Sequence, residues 1–312
     1  MRRDPVPAAI ALLALLLLAG ALVLPDWLRF LLLLAFAKGL AVLGVVTLMR
    51  GGLVSFGQGL YFGLGGYAAG MTGHFTGFSD VFGLLLLGIA VSVAVALVLG
   101  LVMARYREIF FAMLSLAFSM VFYGVLVRSE VLGSTDGSNL PQPTFLGYAP
   151  EAATGRVLLY LLTVLVVAVA AFLVHRWYRS LWGHLAEAAR ENEVRVEYLG
   201  ASVFRVHYAD YLLAAATAGA GGVLTAVAVG HVDPTLTYWT TSGEFVFVAL
   251  VGGTGSVFAP FAGAVLLELV RTFAFAWLPY SWQMILGAVM LLVILFLPGG
   301  LWSLVAGREA RT

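Results

Sequence analysis

Residues 52–70 read GLVSFGQGLYFGLGGYAAG: seven glycines and a single amide, Gln58, inside a run otherwise apolar enough for the centre of a bilayer. In a water-exposed helix each glycine would cost about 1 kcal/mol relative to alanine. Lipid changes that balance, because helices in hydrocarbon associate through close backbone contact at small residues. Gly59, Gly63, Gly66 and Gly70 recur at steps of four, three and four, which puts them on one helix face; Gly65 and Ala69 extend it. The stretch therefore reads as a membrane helix that presses on a neighbour or lines a pathway. Ser55 and Gln58 are placed to meet a solute or to satisfy backbone groups where the glycines loosen the helix.

The rest of the chain agrees with a membrane setting. Of 312 residues 62% are hydrophobic and only 11% charged, more apolar surface than a water-soluble domain can bury. Apolar runs long enough to cross a bilayer fall near 8–24, 27–49, 52–73, 82–103, 109–127, 157–175, 206–230, 257–277 and 280–298, with a shorter one near 244–255. The expectation is an all-α polytopic membrane protein of roughly 8–10 transmembrane helices, some short or broken, folded as one domain over residues 1–312. Arg2 and Arg3 precede an uncleaved first helix in this reading.

Charge sets the orientation. With the N-terminus inside and the spans alternating, the inner side receives Arg2, Arg3, Arg50, Arg105, Arg107, Arg176, Arg179, Arg190, Arg195, Arg205, Arg308 and Arg311. The outer loops receive only Arg128 and Arg156, as the positive-inside rule requires. Residues 128–155 form the long outer loop, rich in Gly, Pro, Ser and Asp. Residues 176–205 form the long inner loop, where Leu185, Ala189, Asn192, Val196 and Leu199 make one less polar stripe. Glu191 stands four residues before Arg195, an opposite-charge spacing, and Gly200 suits a helix end. One amphipathic helix is expected from Gly183 to Gly200. Its Glu187, Glu191, Glu193 and Glu197 would be repelled by anionic lipid, which points to a protein partner.

Enzymatic chemistry finds no support. There is no cysteine, the five histidines lack metal-ligand spacing, and the glycine clusters at 63–70 and 252–255 neither follow a strand nor continue into Gly-Lys-Ser/Thr. No catalytic residue, metal site, cofactor in this chain or nucleic-acid partner is expected. Lys38, the only lysine, lies mid-span. Uncompensated it would cost about 2.5–3.5 kcal/mol, so it pairs with a carboxylate such as Glu244 or Glu268, snorkels towards the interface, or faces an anionic solute. Glu268 and Arg271 are spaced as a mutual pair. Glu244 opens a short segment ending in GGTGS, the form of a discontinuous helix at a transport site.

Five stretches in order carry a family resemblance: the opening one, FFAMLSLAFSMVFYGV (Phe110–Val125), GSTDG (Gly133–Gly137), SLWGHLAEAARENEVRVEYLG (Ser180–Gly200) and SGEFVFVALVGGTGSVFAP (Ser242–Pro260). Together they resemble the branched-chain amino acid ABC permease family, in its LivM-type branch. The resemblance implies a half-channel in the cytoplasmic membrane of a bacterium or archaeon. Its partners would be a homologous permease subunit, two cytoplasmic ATPase subunits that bind and hydrolyse ATP, and an external solute-binding protein. Gly183, Glu187, Glu191, Asn192, Glu193 and Gly200 would couple to the ATPases. Asp136 and Asn139 are candidate contacts for the binding protein. Ser55, Gln58, Gly59, Gly63, Lys38 and Glu244 are candidates for the solute pathway. A valine at position 45, where the family commonly has Asn, leaves the solute open among branched-chain amino acids, urea, amides and carboxylates. The rival expectation is a self-sufficient, ion-driven transporter or channel, which would need intramembrane carboxylate chains and an internal repeat; no repeat is visible in the sequence.

Overall fold

The computed structural model describes residues 5–21, 23–297 and 299–305. Arg2, Arg3, Arg308 and Arg311 of the charge pattern lie outside the described residues. Helices account for nearly all of the regular structure: α1 (Val6–Gly20), α2 (Asp26–Arg50), α3 (Gln58–Thr76), α4 (Val81–Met103), α5 (Glu108–Arg128), α6 (Ala152–Tyr178), α7 (Leu181–Glu191), α8 (Glu193–Tyr198), α9 (Val203–Val229), α10 (Trp239–Gly252), α11 (Ala259–Trp277), α12 (Trp282–Phe296) and α13 (Trp302–Val305). Two short strands, β1 (Ser138–Asn139) and β2 (His231–Val232), pair antiparallel. The chain is an all-α polytopic membrane protein. Among the described residues six helices are long and apolar enough to cross a bilayer: α2, α4, α5, α6, α9 and α11. Helices α1 and α12, of 15 residues each, are shorter than the apolar runs at 8–24 and 280–298.

The centre of the bundle is the pair α2 and α9, the two most buried of the long helices. They run antiparallel at close range. Gly51 lies beside His207 and Asp210, Gly44 beside Ala214 and Thr217, and Gly221 against the Ala37 carbonyl. Around this pair the packing is reciprocal: α3 and α4 lie on α9, while α10 and α11 lie on α2. Since α2 and α9 point in opposite directions, α2–α5 and α9–α12 form an inverted pair of units.

Each unit contains an interruption. After α2 the chain is non-helical through Gly57, so the expected span at 52–73 begins instead as helix at Gln58. After α9 it turns at Gly230 and runs non-helically through β2 and a short 3₁₀ turn at Pro234–Thr237 before α10 starts. With 14 residues, α10 is about 21 Å long, too short to span about 30 Å of hydrocarbon. Irregular backbone at that depth is tolerated only when enclosed by protein, and Leu53, Ser55, Gly57, Val232, Pro234 and Thr237 are all buried.

The inner loop also differs from expectation. The helix expected over Gly183–Gly200 is broken at Asn192, whose extended backbone and side-chain oxygen, 2.9 Å from the Arg195 N–H, start α8 afresh. That break removes the helical step between Glu191 and Arg195. Gly200 follows α8 at φ +84°, a left-handed conformation that a side chain would strain.

Candidate functional site

The pathway candidates sort into two groups. The first forms where the interruptions meet. The glycine face of α3 seats the segment from β2 into α10: Gly70 and Gly66 lie against Val232, Gly63 against Thr237, and Gly59 against Ser242. Gly65, expected to extend that face, instead lies on the opposite one against Gly219 of α9, where Gly222 sits on the Phe62 carbonyl so closely that a methyl group there would overlap the backbone. Helix α3 is thus gripped on both sides, which explains why it needs so many glycines.

Serines satisfy the backbone of this crossing. The Gly59 N–H donates to Ser242 Oγ at 2.9 Å, the Phe56 N–H to Ser115 Oγ at 3.0 Å, and the Gly57 N–H to Ser55 Oγ at 3.2 Å. Ser119 donates to the Thr237 carbonyl at 2.7 Å, and Ser92 to the Tyr61 carbonyl at 3.1 Å. Ser115 and Ser119 follow the start of α5 by about 10 and 17 Å, which puts the crossing in the middle third of the bilayer. Within it Gln58 has no solvent exposure, and neither its Oε1 nor its Nε2 has a hydrogen-bond partner among the described residues. A carboxamide buried without partners costs about 1–3 kcal/mol, so this group is costly as it stands. Ser115, Ser119, Thr237 and Ser242 were not singled out from sequence. Two serines four residues apart in the otherwise apolar α5 were the available signal.

The second group is a charge cluster. Lys38 stands twelve residues from either end of α2, at mid-depth. Its Nζ lies 2.6 Å from Glu268 Oε1 and 3.7 Å from Glu244 Oε1. Arg271 closes the ring, 2.5 Å from Glu244 and 3.2 Å from Glu268, with its guanidinium 5.8 Å from the Trp282 ring centroid. Two cations and two carboxylates balance, which removes the cost of any one of them alone in hydrocarbon. Helix α10 belongs to both groups, Ser242 to the crossing and Glu244 to the cluster.

At the basic end, α7 and α8 hold on to different helices. Glu187 pairs with Arg50 at the end of α2. Glu193 pairs with Arg107, the residue that opens α5, and lies 3.6 Å from His207 of α9. Gly183 is buried at the α6–α7 turn, against the Trp177 carbonyl and Tyr178. Glu191 and Asn192 are exposed. Beside them Tyr198 and Leu199 are 88% and 80% exposed, apolar groups in a polar stretch. At the other end Asn139 Oδ1 bonds the His231 ring at 2.8 Å and so ties the 128–155 loop to the segment leading into α10; Asp136 is exposed.

Comparison with known proteins gives the family of this sequence. The family profile described as "Branched-chain amino acid transport system / permease component" matches residues 28–295. The chain is 30% identical over 272 residues to the high-affinity branched-chain amino acid transport system permease protein LivM of Salmonella typhimurium, an alignment covering 80% of this chain and 64% of that protein. It is 28% identical to the LivM protein of Escherichia coli over the same length and shares. The chain therefore spans about 64% of the length of these relatives. No solved structure matches it.

Proposed function

The chain belongs to the family of permease components of branched-chain amino acid transport systems, and on that premise we propose that it is the transmembrane subunit of an ATP-driven importer. Its solute is a branched-chain amino acid or a related small polar or carboxylate compound. It works in the cytoplasmic membrane with its N-terminus and basic end inside, beside a second, homologous permease. Two ATPase subunits bind and hydrolyse ATP against α7 and α8; this chain holds no cofactor and catalyses no reaction. The observation that carries the reading is the crossing of the two interrupted helices around Gln58, an unpaired amide at mid-depth that a polar solute or water would satisfy once the crossing parts.

The mechanism follows from the ties at each end. A loaded external binding protein docks near Asp136 and Asn139, and through His231 its contact reaches the segment that enters α10. ATPase closure acts on the exposed face of α7 and α8, where Tyr198 and Leu199 offer apolar contacts and Glu187, Glu191 and Glu193 flank the break at Asn192. Rocking the two inverted units about α2 and α9 would open the crossing to one side and then the other.

Purification of the tagged chain from its own membrane, followed by uptake of labelled leucine into vesicles supplied with the binding protein, tests this. The reading predicts co-purifying ATPase subunits and uptake that stops without ATP. A second reading, a self-sufficient ion-driven transporter, draws support from the inverted units and the mid-depth charges. It predicts uptake by the purified chain alone, without ATPase subunits, and that result would displace the first.

A further inference from the structure

Arg50 joins three parts of the molecule at once. Its Nη2 donates to Glu187 on α7. Its Nη1 donates, at 3.2 Å, to the carbonyl of Thr254, two residues past the end of α10. Its guanidinium carbon lies 4.2 Å from the centroid of the Tyr178 ring, and that ring is fixed by a 2.9 Å hydrogen bond between its hydroxyl and Thr47. The side chain is only 20% exposed.

These contacts have a mechanical meaning. Arg50 anchors the loop that leaves α10, through the Thr254 carbonyl, while gripping α7 with the other arm of its fork. Lysine cannot make two such bonds in fixed directions. We infer that Arg50 is the positioning residue through which movement of α7 reaches α10, and so Ser242 and the crossing at Gly59. Helix α8 takes a separate route: Glu193 reaches Arg107 at the start of α5, the helix that carries Ser115 and Ser119. The break at Asn192 lets the two routes move unequally. The transport part of this inference rests on the proposed function; the mechanical joint does not.

The test has two arms. The chain contains no cysteine, so Ala188→Cys on α7 and Gly255→Cys beyond α10 take a spin-label pair without background. In the full chain in lipid nanodiscs the joint predicts a narrow distance distribution that broadens by about twofold with Arg50→Gln and with Arg50→Lys, as loss of a shared anchor frees both ends. In the complex with its ATPase subunits, Arg50→Gln should retain ATP hydrolysis within about twofold while leucine uptake falls about tenfold, a change of ordinary size for a coupling free energy. Should Arg50→Gln fail to fold, Arg50→Lys keeps the charge without the two-directional fork and should uncouple uptake from hydrolysis in the same way. An unchanged distance distribution, or hydrolysis and uptake falling together, overturns the inference. If no ATPase subunit co-purifies, the proposed function fails, while the label arm on the chain alone still decides whether Arg50 joins α7 to α10.

Discussion

The crossing at mid-depth and the basic end of the bundle are held by opposite kinds of force. At the crossing, glycines bring backbone onto backbone, and four serines bond the groups that the interrupted helices leave open. Packing of this kind is short-ranged and tolerates little added volume. At the basic end, Arg50–Glu187 and Arg107–Glu193 join elements through long side chains that are part-exposed, contacts that stretch and are screened by salt. The contrast separates labour: the basic end can yield to a partner, while the crossing keeps its shape until it is driven apart.

The sharpest way to break this contrast is to add volume at the crossing. Gly222→Val would push a branched side chain into the Phe62 carbonyl, with an expected loss of about 3 kcal/mol, read as a lowered thermal midpoint in nanodiscs. A variant as stable as the parent would show that the helices are not in close contact. Next in size is Lys38→Met, which leaves Glu268 to Arg271 alone and should cost about 2 kcal/mol. If assembly and uptake are both normal in that variant, Lys38 has no part in handling solute.

Gln58→Leu should move the two readouts in opposite directions. Removing an unpaired amide is expected to stabilise the resting protein by about 1 kcal/mol, yet uptake should fall if the amide serves the moving solute. Equal uptake in parent and variant would make Gln58 a packing residue. The smallest effect belongs to the basic end: Glu193→Gln should cost under about 1 kcal/mol, a difference that shrinks further as salt is raised. A large, salt-independent loss would erase the distinction between the two regions.

Much of the architecture was legible in the sequence. The long spans stand out by hydropathy, the arginines mark one end, and the steps of four, three and four in Gly59–Gly70 name the face that seats the α10 segment. Hydropathy could not reveal that α3 starts only at Gln58, because Leu53–Gly57 is as apolar as a helix and its irregularity is sustained by Ser115, far along the chain. The broken inner-loop helix was similarly hidden, since the stripe through Ala189 and Val196 continues across the break. The one local sign was Asn192, a residue that favours helix starts over helix interiors. Lys38 announced by its cost that it needed partners, and Glu244 and Glu268 were the nearest carboxylates in kind. That Arg271 completes a ring with both is a tertiary fact without a local pattern.

The central claim, that the crossing of α3 and α10 is the part of the molecule that opens, is most directly tested by reactivity at Gln58. In the cysteine-free chain, Gln58→Cys introduces a thiol at a position with no solvent exposure. The account predicts that a water-soluble thiol reagent leaves this thiol unmodified in the resting complex and modifies it during ATP turnover. Protection that persists through turnover, or equal reaction with and without ATP, would contradict it.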